Sequence, residues 1–230
     1  MKIWKMVGSL ALLAVIICGC VILGNNAEVS ASTPPEQEGE QVQESEKSEE
    51  ERTEGSVTVS KTYSTGLDFR SNGDGTCAVS GVGSCTSACI LIPPTSPAGD
   101  TVTAILPYAF AEGIVGAIEL PSTVTTLTVE SFAGCVRLSY VRVASGNTSF
   151  LEYDGVLYTA DGTTLLYCPA ARSATTLQLH PSLRRIAAGA FSACSELATV
   201  CFNGTTAEWH GVIVGDDNEA LYAARMKFEG

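Results

Sequence analysis

The chain has 230 residues, 45% of them hydrophobic, with 25 acidic against 13 basic side chains and a formal net charge of −12. Nothing basic or aromatic-interleaved is available to neutralise phosphates, so the composition speaks against nucleic acid as a partner. The acidic excess is unevenly placed, and its placement divides the chain.

Residues 1–20 read as a signal peptide, with Lys2 and Lys5 as a basic start and Leu10 to Ile17 as an apolar run. Continued through Val21-Ile-Leu23, the run nears the length of a membrane span, so an uncleaved anchor is a second reading. Ile17-Cys18-Gly19-Cys20 resembles the lipobox of bacterial lipoproteins, although Cys18 is unusual at its place. That resemblance implies a diacylated Cys20. Every reading puts the rest of the chain outside the cytoplasm and gives it the membrane as a partner, or releases it.

Residues 21–56 read as a disordered tether. They carry ten Glu against Lys47 and Arg52 and have almost no apolar periodicity. Such a stretch buries too little surface to offset the entropy of ordering, and its self-repulsion extends it.

The remaining 57–230 is long enough for one domain with a sizeable core. Its sequence repeats itself. Ser131 to Val143, "SFAGCVRLSYVRV", and Ala190 to Phe202, "AFSACSELATVCF", share one register, with Phe132 and Phe191 59 positions apart. A third copy, Val102 to Pro121, places Phe110 22 positions before Phe132, and has Gly113 where the others have Cys135 and Cys194. The triplets Ile118-Glu-Leu120, Val141-Arg-Val143, Leu177-Gln-Leu179 and Val200-Cys-Phe202 alternate as strands with one buried face should. One repeat cannot bury its apolar face alone, so the pattern predicts stacked coils around one continuous core, a mainly β solenoid with short helical turns.

The pattern, with "LPSTV" joining one unit to the next, resembles the leucine-rich repeats of bacterial surface antigens of the BspA-like type, also found in spirochaete proteins. Gly66 to Pro94 resembles that family's amino-terminal hairpin unit, giving a cap over 57–101. The repeats then run over 102–202, and Asn147 to Pro169 resembles the family's inserted Asp-Gly-Val-Leu-Tyr unit. Phe202 to Leu221 resembles its carboxy-terminal Asn-Gly-Thr…Trp unit, giving a cap over 203–230. The resemblance implies an exported surface protein associated with adhesion or host contact. Turn chemistry agrees: Asn72-Gly73-Asp74-Gly75 separates two strand-like runs, and Asp154-Gly155 and Asp161-Gly162 punctuate the insertion.

Residues suited to catalysis are few. His180 falls in a connecting loop and reads as a solvated residue, and His210 follows Trp209 in the last unit. No serine stands in a nucleophile elbow. Asp68-x-Arg70-x-Asn72-Gly73 puts Arg where a calcium loop needs an oxygen, so it reads as a hairpin turn. No enzyme, cofactor or metal is expected.

Cys135 and Cys194 recur beside Phe and read as buried packing thiols. Cys77, Cys85 and Cys89 cluster, and a disulfide among them fits an exported protein, with the pairing unreadable. Cys168 and Cys201 carry no assignment. Asn147-Thr-Ser149 and Asn203-Gly-Thr205 match glycosylation acceptors but read as turn residues.

Binding is expected on the strand face. The outward positions Glu119, Arg142, Gln178 and Cys201 would form one column, with Tyr140 one step earlier beside Arg142. Glu119, Tyr140, Arg142 and Gln178 are therefore the candidate binding residues, for a host or neighbouring-cell surface protein or glycan. A spacer role through homotypic contacts is the alternative, and an accessory role in surface-polymer degradation is a third.

Overall fold

The computed structural model describes residues 61–111 and 113–230. The signal segment, Cys20 and the acidic tether lie outside the described residues. In chain order the first strands are β1 (Asp68–Ser71), β2 (Thr76–Gly81), β3 (Cys89–Leu91), β4 (Thr101–Ile105), β5 (Ala117–Leu120) and β6 (Tyr140–Val143). A three-residue-pitch helical turn, Val129–Phe132, precedes β6. Then come β7 (Phe150–Tyr153), β8 (Val156–Thr159) and β9 (Thr164–Tyr167). The rest comprises β10 (Thr176–Gln178), β11 (Arg185–Ile186), β12 (Thr199–Phe202), α1 (Thr206–Trp209), β13 (Ile213–Val214), α2 (Glu219–Ala223) and β14 (Arg225–Phe228).

The fold begins with a hairpin. β1 and β2 pair antiparallel around the Asn-Gly-Asp-Gly turn, where Gly73 and Gly75 take φ of 80° and 83°. Asp74 secures it by accepting from the Thr76 amide at 3.0 Å and the Thr76 hydroxyl at 2.6 Å.

Beyond it the chain winds in coils, each adding a strand parallel to its predecessor. β2 pairs with β4, and β3 with β5 and then β6. The later coils repeat the scheme in β9-β11-β13 and β10-β12-β14. Parallel neighbours need a crossover rather than a tight hairpin. The repeated Phe segments supply it as turns, with Phe110, Phe132 and Phe191 buried inside. This is a mainly β, leucine-rich-repeat-type solenoid with short helical turns.

The inserted unit differs from the expected continuous core. Buried side chains form two clusters, and the β7-β8-β9 unit stands between them. Along β8, Leu157 joins the first cluster, while Val156 and Tyr158 join the second. Side chains alternate across a strand, so a strand between two cores must be apolar at every position. That is why Val-Leu-Tyr lacks polar alternation and why all three are fully buried. The insertion is a wall.

The wall also supplies the missing rung of the aromatic ladder. Phe110 and Phe132 stack with centroids 6.4 Å apart, and Tyr167 of β9 follows Phe132 at 4.5 Å.

Two asparagines hold the coils where they change path. Asn147 donates to the Pro121 and Val124 carbonyls at 2.9 Å each and accepts from the Ser149 and Phe150 amides. Asn218 donates to the Ala187, Gly215 and Asp216 carbonyls and accepts from the Phe191 amide at 2.9 Å. A side-chain amide with both ends satisfied replaces backbone partners that the bend removes. Asn147 is thus a structural bracket.

Cys77, Cys85, Cys135, Cys168, Cys194 and Cys201 carry free thiols. Of the pairings open among Cys77, Cys85 and Cys89, Cys77 is not joined to Cys85 in this structure. Cys77 faces inward from β2, buried in the first core, with its thiol toward the Asp100 carbonyl at 3.7 Å.

Candidate functional site

Parallel pairing sets the face from below. β5 and β6 run in register, with Ala117 beside Tyr140 and Glu119 beside Arg142. Ile118, Leu120 and Val141 point into the core. The intervening residues Glu119, Tyr140 and Arg142 are half-buried on the other face.

Tyr140 and Arg142 lie two residues apart on one side of β6, and they touch. The Arg142 guanidinium carbon sits 5.8 Å from the Tyr140 ring centroid, in cation–π range. The Tyr140 hydroxyl donates to Glu152 Oε2 at 3.4 Å. Burial pushes that hydroxyl's pKa up, with the Glu152 charge adding to the effect. Glu152 is itself held, because Oε1 accepts from the Gly155 amide at 2.7 Å.

The column expected to include Gln178 and Cys201 is divided. Gln178 pairs with Cys201 in the separate β10-β12-β14 sheet, and Lys227 continues that row. Cys201 holds its place in that row but is buried. The cause is the inserted unit. Its tight turn, with φ of 49° at Asp154 and 75° at Gly155, stands where a strand beside β10 would be. Asp154 Oδ2 accepts from the Gln178 amide at 2.7 Å, replacing a ladder bond. Arg172 completes the join, donating to the Asp154 carbonyl at 2.8 Å and pairing with its carboxylate at 3.3 Å.

The site therefore contains residues that repeat spacing does not reveal. Glu152 reaches β6 and Asp154 reaches β10 from one hairpin, so Arg142, Tyr140, Glu152, Asp154 and Gln178 lie along one path of contacts. The visible signal was the Glu-x-Asp-Gly of the turn. A carboxylate before a Gly turn bonds local amides, but which strand it faces is a tertiary matter.

His180 is not simply solvated. It is half-buried, 5.0 Å from the Tyr153 ring centroid and 5.8 Å from that of Tyr158. Its Nδ1 accepts from the Ser182 amide at 3.1 Å, which places any ring proton on Nε2. His210 is exposed, while Trp209 packs edge-on against Phe202 at 5.3 Å. Among the described residues, no group of three or more His, Cys, Asp or Glu could hold a metal ion.

A profile of the BspA type leucine rich repeat region matches residues 89–154 and 167–210 in six copies. The repeats are BspA-type leucine-rich repeats. The break between the two matched stretches falls on β8 and β9, the wall of this BspA-type solenoid. The chain is similar to a leucine-rich repeat protein from Eubacterium ventriosum at 20% identity and a TM-score of 0.44, over 61% of this chain and 41% of that one. It is similar to the pneumococcal vaccine antigen PcpA at 26% identity and a TM-score of 0.41, over 51% and 28%. A leucine rich cell surface protein from Faecalibacterium prausnitzii gives 23% identity and a TM-score of 0.39, over 54% and 36%. The match covers less than half the length of each of these solved proteins. No curated protein matches the chain.

Proposed function

We propose that this BspA-type chain is a surface-displayed binding protein, held at the membrane by a lipid on Cys20 or by an uncleaved amino-terminal segment. It recognises a host or neighbouring-cell surface protein or glycan through the strand face around Tyr140 and Arg142. The observation that carries this reading is the Tyr140–Arg142–Glu152 group. An arginine already resting on an aromatic ring, with that ring's hydroxyl tied to a carboxylate, loses little conformational freedom on binding. Tyrosine and arginine are also the residue types that dominate binding hot spots. Glu119 beside Arg142, and Gln178 beyond the Asp154 turn, extend the same polar surface.

The test is a binding screen of the purified full-length chain against matrix proteins, mucins and glycans at physiological salt. A saturable hit weakened about tenfold or more by Tyr140→Ala or Arg142→Ala supports the proposal, as expected for loss of one hot-spot side chain. Affinities unchanged by both substitutions overturn this face as the site. Silence across the screen, with concentration-dependent self-association, moves the function to homotypic spacing.

A further inference from the structure

Two cysteines that no part of the binding function uses meet inside the second core. Cys168, directly after β9, is 0% exposed, and Cys194, in the crossover before β12, is 3% exposed. The Cys194 thiol lies 3.1 Å from the Cys168 carbonyl and 3.5 Å from the Pro169 carbonyl. Both side chains lie in the same buried cluster of the second core. Cys135 occupies the same repeat position in the Phe132 coil, but its thiol points to the carbonyl of Phe110 at 3.6 Å, so there the facing residue is a phenylalanine. The inserted unit is what brings a second sulfur to the repeat cysteine.

We infer that Cys168 and Cys194 are a cross-linking site, closed to a disulfide when the chain folds in an oxidising compartment. The bond would tie the wall to the first coil after it, 26 positions on. Its occurrence in the cell rests on the surface-display reading, since disulfides persist outside the cytoplasm. The chemistry itself does not.

The oxidant is a small disulfide, RSSR. One cysteine thiolate attacks it, breaking its S–S bond to give a mixed disulfide and releasing one RSH. The second thiolate then displaces the other RSH as the Cys168–Cys194 bond forms. The protein loses two thiol hydrogens and two electrons, and one RSSR becomes two RSH. Contact with Cys194 and burial keep the folded Cys168 thiol protonated, and neither sulfur is open to solvent. Exchange therefore belongs to the folding stage, before the Phe191 coil docks, and the finished bond is sheltered from reductant.

The full-length chain, unfolded and reduced, would be refolded in a glutathione redox buffer, trapped with an alkylating agent and digested with trypsin and a glutamate-specific protease. Cleavage after Glu196 separates Cys194 from Cys201. The expected product is a peptide pair joined through Cys168 and Cys194. The oxidised protein should melt about 5–10 °C above the same chain refolded fully reduced, as for a loop of about 25 residues. That difference should vanish in Cys168→Ala and survive in Cys201→Ala.

Recovery of Cys168 and Cys194 on separate alkylated peptides, or pairing of Cys194 with Cys201, would overturn the inference. Protease treatment of intact cells tests location separately. A chain shielded inside the cell that still cross-links on refolding removes the surface reading and leaves the cross-link standing.

Discussion

The ring of Tyr167 stacks on that of Phe132 with centroids 4.5 Å apart and planes 24° from parallel. A residue from the inserted unit thereby continues a ladder that repeat phenylalanines began. Tyr167 is buried, and its hydroxyl has no regular hydrogen-bond partner. Burying an unpaired hydroxyl costs about 1–3 kcal/mol. Tyr167→Phe should therefore leave stability unchanged or raise it by up to about 1 kcal/mol, while Tyr167→Ala should lower it by about 3–5 kcal/mol. Urea denaturation of the three proteins checks both values.

Asp154 is the joint between the wall and β10. Its carboxylate takes the Gln178 amide and the Arg172 guanidinium together, and Arg172 also donates to the Thr176 carbonyl at 2.9 Å. Asp154→Ala should cost about 1–3 kcal/mol through the orphaned Gln178 amide, the lost ion pair and the left-handed backbone that alanine tolerates poorly. Asp154→Asn keeps an acceptor and tolerates that backbone, so it should cost clearly less. Hydrogen exchange should locate the loss at Gln178, whose amide becomes the fastest-exchanging in β10.

Gly162 packs under the His180 ring, with φ of 70°. A Cβ there would overlap the imidazole, so Gly162→Ala must move His180 and also strain its own backbone. The expected cost is about 1–3 kcal/mol. The nearby tyrosines give a direct readout, because displacement of the ring from Tyr153 and Tyr158 shifts their aromatic proton resonances. Unchanged resonances would show that the ring had not moved.

Several carboxylates are held below their ordinary pKa by turn hydrogen bonds. Thr159 and Thr163 lower that of Asp161, Thr76 that of Asp74, and the Thr205 amide and hydroxyl that of Glu208 in the capping box of α1. In the unfolded chain these groups bind protons at higher pH than in the folded one, so acid favours unfolding. Their contribution is complete above the ordinary values of 3.8 and 4.5 and is lost as pH falls through the lowered ones. Glu208→Gln should lower the melting temperature at neutral pH, where the contribution is complete, and flatten part of the acid limb below about pH 4.5.

At the alkaline end the sign reverses. Burial pushes the Cys135 thiol up to about 11 from an ordinary 9.0. The unfolded chain releases that proton first, so stability falls as pH rises from 9 toward 11. Cys135→Ala should remove part of this slope in a melting-temperature profile, whatever it costs in packing at neutral pH.

The repeat by itself determined the coil. Phe at a constant spacing and triplets such as Ile118-Glu-Leu120 and Val141-Arg-Val143 dictate strands with one buried face, and stacking such units is the way they bury their apolar residues. The hairpin turns were equally legible, because Asn-Gly and Asp-Gly meet a local backbone requirement that neighbouring residues cannot change. Glu119 and Arg142 could be placed side by side for the same reason, since both hold one repeat position in adjacent strands.

Only the tertiary structure decided what the inserted unit does. Val156, Leu157 and Tyr158 read as an ordinary apolar strand, and whether such a strand faces one core or two depends on what arrives on each side. The same dependence split the expected column between Arg142 and Gln178, buried Cys201, and brought Glu152 and Asp154 to the strand face beside Tyr140 and Gln178. It also set Cys168 against Cys194. Periodicity encodes which way a side chain points along its own coil, but the neighbour it meets across an interruption is set by packing between distant segments.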